Sequence, residues 1–148
     1  MSRKQQQSNQ RKQRSLDEVM MQTAWSFASL SLCSRLKVGA VLTRNNRILC
    51  CGYNGTIPGA PNECEEDGVT SPFVLHAEQN VLTYCAKNGI PTDNSTLYIT
   101  HSPCPECAKL LAAAGITEVI YNITFRDPSG ILFLNTINIP TQRFSNVV

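Results

Sequence analysis

His76-Ala77-Glu78 and, with twenty-four residues between Glu78 and Pro103, Pro103-Cys104-Pro105-Glu106-Cys107 hold the groups best suited to chemistry in this 148-residue chain. Cysteines at i and i+3 share one face of a helix, so Cys104 and Cys107 can close on a single tetrahedral ion. The amino end of a helix carries positive partial charge, which lowers thiol pKa values and favours the thiolate that zinc binds. His76 supplies a third ligand. No fourth is evident nearby, and three protein ligands leave a position for water, as in hydrolytic rather than structural zinc sites. Glu78, two residues from His76, is placed to take a proton from that water. Taken singly, Cys-x-x-Cys also fits a redox pair or a structural clip, and His-x-Glu falls in many helices by chance. In this order, on successive helix starts, the two motifs point to catalytic zinc.

The elements that must position these groups follow from periodicity. Ser15-Leu16-Asp17-Glu18 fits a capping box, and Leu16, Val19, Met20, Ala24, Phe27 and Leu30 recur at helical spacing, which predicts a first helix from Ser15 to about Leu32. Lys37 to Arg44 and Arg47 to Tyr53 are β-rich runs joined by Asn45-Asn46, a dipeptide that tolerates the positive φ of a tight hairpin. Asn54 to Phe73, rich in Gly, Pro and Asn with acids from Glu63 to Asp67, has no sustained period and predicts a long loop. Two helix-then-strand units come next: His76 to Lys87 with Thr96 to Thr100, and Cys104 to Ala114 with Thr117 to Asn122. Strand, helix, strand order implies a right-handed crossover and parallel pairing in that half of the sheet. Ser129 to Phe144 predicts a short helix and a ragged edge strand. The expected fold class is α/β, a three-layer α/β/α sandwich on a mixed five-stranded sheet.

Composition narrows the function classes. Hydrophobic residues make up 42% and charged residues 16%, which excludes fibrous and wholly disordered chains. No apolar stretch approaches the roughly 20 residues that span a bilayer, and no hydrophobic run follows the basic amino terminus as in a secretion signal, so a cytoplasmic location is expected. Five of the thirteen basic residues lie in the first fourteen positions, leaving eight basic against eleven acidic residues elsewhere, a net −3. That body charge argues against a broad nucleic-acid face, and residues 1–14 are expected to form a disordered basic tail ahead of a single domain over 15–148. Seven cysteines, an odd number without an export signal, predict reduced thiols or metal ligands before disulfides.

At His76 to Asn80 (HAEQN) and Ser102 to Lys109 (SPCPECAK), with Lys37 to Leu42 (KVGAVL) and Gly52 to Gly55 (GYNG), the sequence resembles the deoxycytidylate deaminases of the cytidine deaminase-like superfamily. The resemblance runs from about Leu16 to Phe144. It implies one catalytic Zn2+ per subunit, deamination of dCMP to dUMP and ammonia, and a homohexamer regulated by dCTP and dTTP. Position by position, it makes His76, Cys104 and Cys107 the zinc ligands and Glu78 the proton shuttle. It gives the pyrimidine O2 to the backbone amide of Ala77, the amino group to the carbonyl near Ser102, the sugar to Asn54, and the base face to Phe125. For the phosphate, Arg35, Lys37 and Arg126 are all open candidates. An effector site is implied around Gly52, Tyr53 and Gly55, where a nucleotide triphosphate would bring Mg2+.

Cys33 and Cys64 sit where some viral relatives hold a second zinc. Those relatives add histidines that this chain lacks, so no second zinc is expected, and Cys50, Cys51 and Cys85 are read as small buried hydrophobes. His101 adjoins the Ser-Pro-Cys motif and either lines the site or is a satisfied edge residue. Three functional alternatives stay open: action on dCTP as well as dCMP, base deamination within tRNA or single-stranded nucleic acid, and a zinc-stabilised binding module without catalysis.

Overall fold

The computed structural model describes residues 1–145. Helix α1 spans Arg3–Ala28 and leads into the hairpin of β1 (Gly39–Arg44) and β2 (Arg47–Tyr53). The next segment carries four two-residue strands, β3 (Gly55–Thr56), β4 (Glu65–Glu66), β5 (Val69–Thr70) and β6 (Val74–Leu75). Then come α2 (Ala77–Lys87), β7 (Ser95–His101), α3 (Pro105–Ala113), β8 (Ile116–Ile123), α4 (Ser129–Thr136) and β9 (Thr141–Arg143). Five strands form one sheet in the order β2-β1-β7-β8-β9. The pairings β1 with β2 and β1 with β7 are antiparallel, while β7 with β8 and β8 with β9 are parallel, so the sheet is mixed as expected.

Alternation along the strands divides the core into two layers. Leu42, Leu97, Ile99 and Val119 pack with Val81, Leu111 and Leu134 of α2, α3 and α4. Val41, Tyr98 and Ile120 point to the other face and meet Met20, Met21 and Ala24 of α1. Asn45 and Asn46 take φ of 52° and 60°, the two left-handed positions of the hairpin turn, as their side chains permit.

The first helix differs from expectation at its start and on its face. It begins at Arg3 rather than Ser15, capped by Ser2 Oγ accepting from the Gln5 N–H at 3.2 Å, and so takes in most of the segment expected to be a disordered tail. Its Gln, Arg and Lys residues are good helix formers, and the packed half of the helix supplies the nucleus from which they propagate. Val19 and Leu30 are exposed, while Asp17 is buried in the stripe with Met20, Met21, Ala24 and Ala28. Close approach of α1 to the sheet depends on Gly39, where a Cβ would stand 1.9 Å from the Ala24 carbonyl oxygen.

The segment predicted as one loop is pinned by short ladders, β3 to β6 and β4 to β5, and by a bond that spacing did not reveal. Cys33 and Cys64 form a disulfide, which corrects the expectation of reduced thiols for this pair. The segment folds back far enough to bring their Cα atoms to 5.1 Å, although 31 positions separate them in sequence. Cys50 and Cys85 are buried thiols and Cys51 is half-buried. Among the described residues, no helix is long and apolar enough to cross a membrane.

Candidate active site

Both motif segments enter their helices at the N-cap. His76 has extended backbone ahead of α2, and its N–H donates to Gln79 Oε1 at 2.8 Å, which fixes the first turn. Cys104 caps α3 in the same way, its Sγ accepting from the Cys107 N–H at 3.5 Å, with Pro105 in the first turn where no N–H is missed. Helix α4 lies against this entry because residue 130 is glycine: a Cβ there would sit 2.0 Å from the Pro103 carbonyl oxygen.

These caps bring three donor atoms together. His76 Nδ1 lies 3.7 Å from Cys104 Sγ and 3.3 Å from Cys107 Sγ, and all three ligand atoms fall within 4.8 Å of one another. A tetrahedral zinc with Zn–S of about 2.3 Å and Zn–N of about 2.0 Å needs nitrogen-to-sulfur separations near ~3.6 Å, so the donor set fits zinc in chemistry and in spacing. Among the described residues, no fourth His, Cys, Asp or Glu joins the cluster.

The charges are arranged for the same end. Hydrogen bonds from Cys107 and His76 hold the Cys104 thiol down to about 4, while Cys107 is pushed up by that bond to Cys104 and by burial. The bond with Cys104 raises His76. Glu78 is 4% exposed, and burial pushes its carboxyl up to about 7. A carboxyl that titrates near neutrality can both accept and return a proton.

The cluster opens on a cavity of about 530 Å³. His76, Ala77, Glu78, Ser102, Cys104, Phe125 and Asn54 all border it, while Cys107 lies behind the wall. Ala77 is wholly buried at the start of α2. Ser102 is fixed twice, its N–H donating to the Ile123 carbonyl at 2.9 Å and its Oγ accepting from the Phe125 N–H at 2.7 Å. Asn54 uses its side chain on the chain opposite: Oδ1 accepts from the Val38 N–H at 2.8 Å, and Nδ2 donates to the Leu36 carbonyl at 2.7 Å. It therefore braces the wall and keeps one amide hydrogen to spare. Of the candidate phosphate groups, Arg35 and Arg126 border the cavity and Lys37 does not. Gly52, Tyr53 and Gly55 are absent from its lining, and Gly52 is needed for packing, since a Cβ would meet Val81 Cγ2 at 3.0 Å.

Three features of the cavity escaped the sequence reading. The disulfide-bonded Cys33 and Cys64 belong to its wall. Glu65, from the acidic cluster, accepts from the backbone N–H groups of Ser34 and Arg35, with the nearer oxygen at 3.2 and 3.1 Å, which holds its carboxyl below the usual range. Trp25 of α1 meets His101 edge-on with ring centroids 5.5 Å apart and donates from Nε1 to Asn122 Oδ1 at 3.1 Å. No local pattern marks a partner 97 residues away.

Residues 14–123 match the family described as the cytidine and deoxycytidylate deaminase zinc-binding region. Deoxycytidylate deaminase of Enterobacteria phage T4 is 32% identical over a match covering 72% of this chain and 77% of the phage protein. ComE operon protein 2 of Bacillus subtilis is 38% identical over 72% of this chain, which spans only 59% of that relative's length. Among solved structures, dCMP deaminase from the cyanophage S-TIM5, in complex with dCMP and dUMP, superposes with a TM-score of 0.85 at 45% identity, covering 88% of this chain and 97% of the other.

Proposed function

The chain belongs to the cytidine and deoxycytidylate deaminase family, and from that premise we propose that residues 15–148 form a domain that hydrolyses dCMP to dUMP and ammonia. The observation that carries the reading is the placement of Glu78, buried on the wall of the cavity that also holds the three-donor cluster. Zinc held by His76, Cys104 and Cys107 would supply Lewis acidity, lowering the pKa of a water toward about 7. Glu78 takes a proton from the attacking water and delivers it to N3 of cytosine as oxygen bonds to C4. The same carboxyl then moves the proton left on the new C4 hydroxyl to the amino group, so that the oxygen becomes the uracil carbonyl as the C4–N bond breaks and ammonia departs.

The rest of the wall orients the base. The Ala77 N–H, one of the free donors at the start of α2, faces the pyrimidine O2. The Ser102 carbonyl accepts from the amino group, which distinguishes cytosine from uracil. Phe125, tied to Ser102 through its own N–H, packs on the ring. Asn54 offers its remaining amide hydrogen to the sugar. Assembly into a homohexamer, and response to dCTP or dTTP with Mg2+ around Gly52, Tyr53 and Gly55, complete the proposal.

The test measures ultraviolet loss of the cytosine chromophore with dCMP, dCTP, CMP and deoxycytidine as separate substrates, together with zinc content. Turnover of dCMP above the other three is the expected result. Zinc-loaded protein that leaves all four unchanged would end this reading.

A further inference from the structure

We propose that His101 is a specificity-determining residue: held as the Nε2–H tautomer by Thr100, it donates a hydrogen bond to the phosphate of the nucleotide in the cavity. The inference rests on the nucleotide-deaminase reading and deepens it.

The tautomer is set by hydrogen-bond accounting. Thr100 is wholly buried, and its Oγ1 already accepts from the Gly39 N–H at 3.2 Å. The one hydrogen on that hydroxyl has a single acceptor within reach among the described residues, His101 Nδ1 at 2.8 Å. Leaving a buried hydroxyl hydrogen without a partner is costly, so Thr100 donates, Nδ1 accepts, and the ring carries its proton on Nε2. His101 is 8% exposed, and burial holds its pKa below the usual value, so the ring is a neutral donor. Among the described residues, no buried side-chain nitrogen or oxygen lacks a partner. Nε2 has no partner among the described residues, so it keeps access to solvent, and the space that His101 borders is the cavity. Trp25, edge-on, limits rotation of the ring.

The acceptor is identified by what the other groups already hold. Within the deaminase reading, the base polar atoms are met by Ala77, Glu78 and Ser102, and of the cavity's cationic groups Arg35 already donates to the Gly68 carbonyl and Thr70 Oγ1, which leaves the phosphate to Arg126 and His101. The bonds of Ser102 to Ile123 and Phe125 tie together the carboxyl ends of β7 and β8, so His101 and Arg126 open on one cavity. Arg126 is exposed and makes no ion pair among the described residues. It brings charge to that end, and the fixed N–H of His101 adds direction. Carboxyl ends of parallel strands are where open α/β sheets receive their ligands.

His101→Leu removes the donor, His101→Gln keeps one at a similar reach, and each is assayed on dCMP and on deoxycytidine. Losing a hydrogen bond to a charged acceptor lowers kcat/KM about 10- to 100-fold, chiefly through KM. The expected result is that loss for dCMP in His101→Leu, no comparable change for deoxycytidine, and recovery in His101→Gln. Independently, 15N ring spectra of the zinc-loaded protein, simplified by its two histidines, should show His101 protonated at Nε2. Thr100→Val should release that preference and Thr100→Ser should keep it. With zinc content and thermal midpoint unchanged, equal losses on both substrates, no loss on either, or a wild-type ring protonated at Nδ1 would overturn the assignment. Wild-type protein that deaminates neither substrate would remove the deaminase reading and this inference with it.

Discussion

The phenol of Tyr98, in the middle of β7, donates to Asp17 Oδ1 of α1 at 2.5 Å across 81 positions of sequence. Asp17 is 7% exposed and also accepts from Gln13 Nε2 at 2.9 Å, so a carboxylate takes a core position that the apolar stripe of α1 skips. Truncating Asp17 to Ala leaves the buried phenol unpaired and should cost about 2–3 kcal/mol in urea denaturation, as should Tyr98→Phe. Because both substitutions remove one interaction, the double variant should lose about 1–3 kcal/mol less than the sum. Simple additivity would show that the bond contributes nothing to holding α1.

Glu118, half-buried on β8, has its carboxyl raised by burial and by the Asp17 charge. A raised folded-state value means that the proton is bound more tightly in the native protein. Stability from this group is therefore full below the unfolded carboxyl range near ~4.3 and is lost as pH rises through the folded value. Glu118→Gln should melt higher than wild type at pH 7, and the gain should shrink as pH falls to 4. A gain that does not vary with pH would assign the effect to packing.

How much could be read in advance depends on how local each feature is. The Asn45-Asn46 turn and the helix starts at His76 and Cys104 are settled by neighbours within four residues, and the chemistry sits on those starts. By contrast, the burial of Asp17 depends on Tyr98, the disulfide depends on a segment that doubles back, and Trp25 meets His101 only after the sheet has formed. The basic segment before Ser15 has no apolar period of its own, and its helix is propagated from the packed turns between Asp17 and Ala28.

Glu78→Gln keeps the shape of the side chain and removes its capacity to carry a proton. Turnover should fall by about 10²–10⁴-fold or more, with zinc content unchanged by mass spectrometry of the native protein. Cys107→Ser, in contrast, replaces a sulfur donor and should lose metal and activity together, as should chelation. Re-addition of Zn2+ should restore the chelated wild type while Mg2+ should not. Activity retained in Glu78→Gln would remove Glu78 as the shuttle.

Residues 3–14 extend α1 with every side chain exposed. Removing Met1 to Arg14 exposes Ser15-Leu16-Asp17-Glu18, a capping box able to restart the helix, and leaves Tyr98 paired with Asp17. The shortened protein should keep dCMP turnover within a few-fold. Loss of most activity, together with action of the full chain on single-stranded nucleic acid, would favour a macromolecular substrate bound by the basic helix.

The Cys33–Cys64 disulfide closes the segment that forms one wall of the cavity, next to the Glu65 carboxylate that accepts from Ser34 and Arg35. Cross-linking two positions 31 apart removes chain entropy from the unfolded state, worth about 3–4 kcal/mol when the loop is otherwise free. Reduction with a phosphine, which spares the zinc ligands from competing thiols, should lower the urea midpoint accordingly, and Cys33→Ser with Cys64→Ser should reproduce the reduced wild type. In either form the ties left between this segment and residues 34 and 35 are the Glu65 bonds and those of the Arg35 guanidinium to the Gly68 carbonyl and Thr70 Oγ1, so KM for dCMP should rise while kcat, set by Glu78 and the donor cluster, changes less. Midpoints and KM values indifferent to reduction would mean that the short ladders and the bonds of Glu65 and Arg35 hold this wall in place without the disulfide.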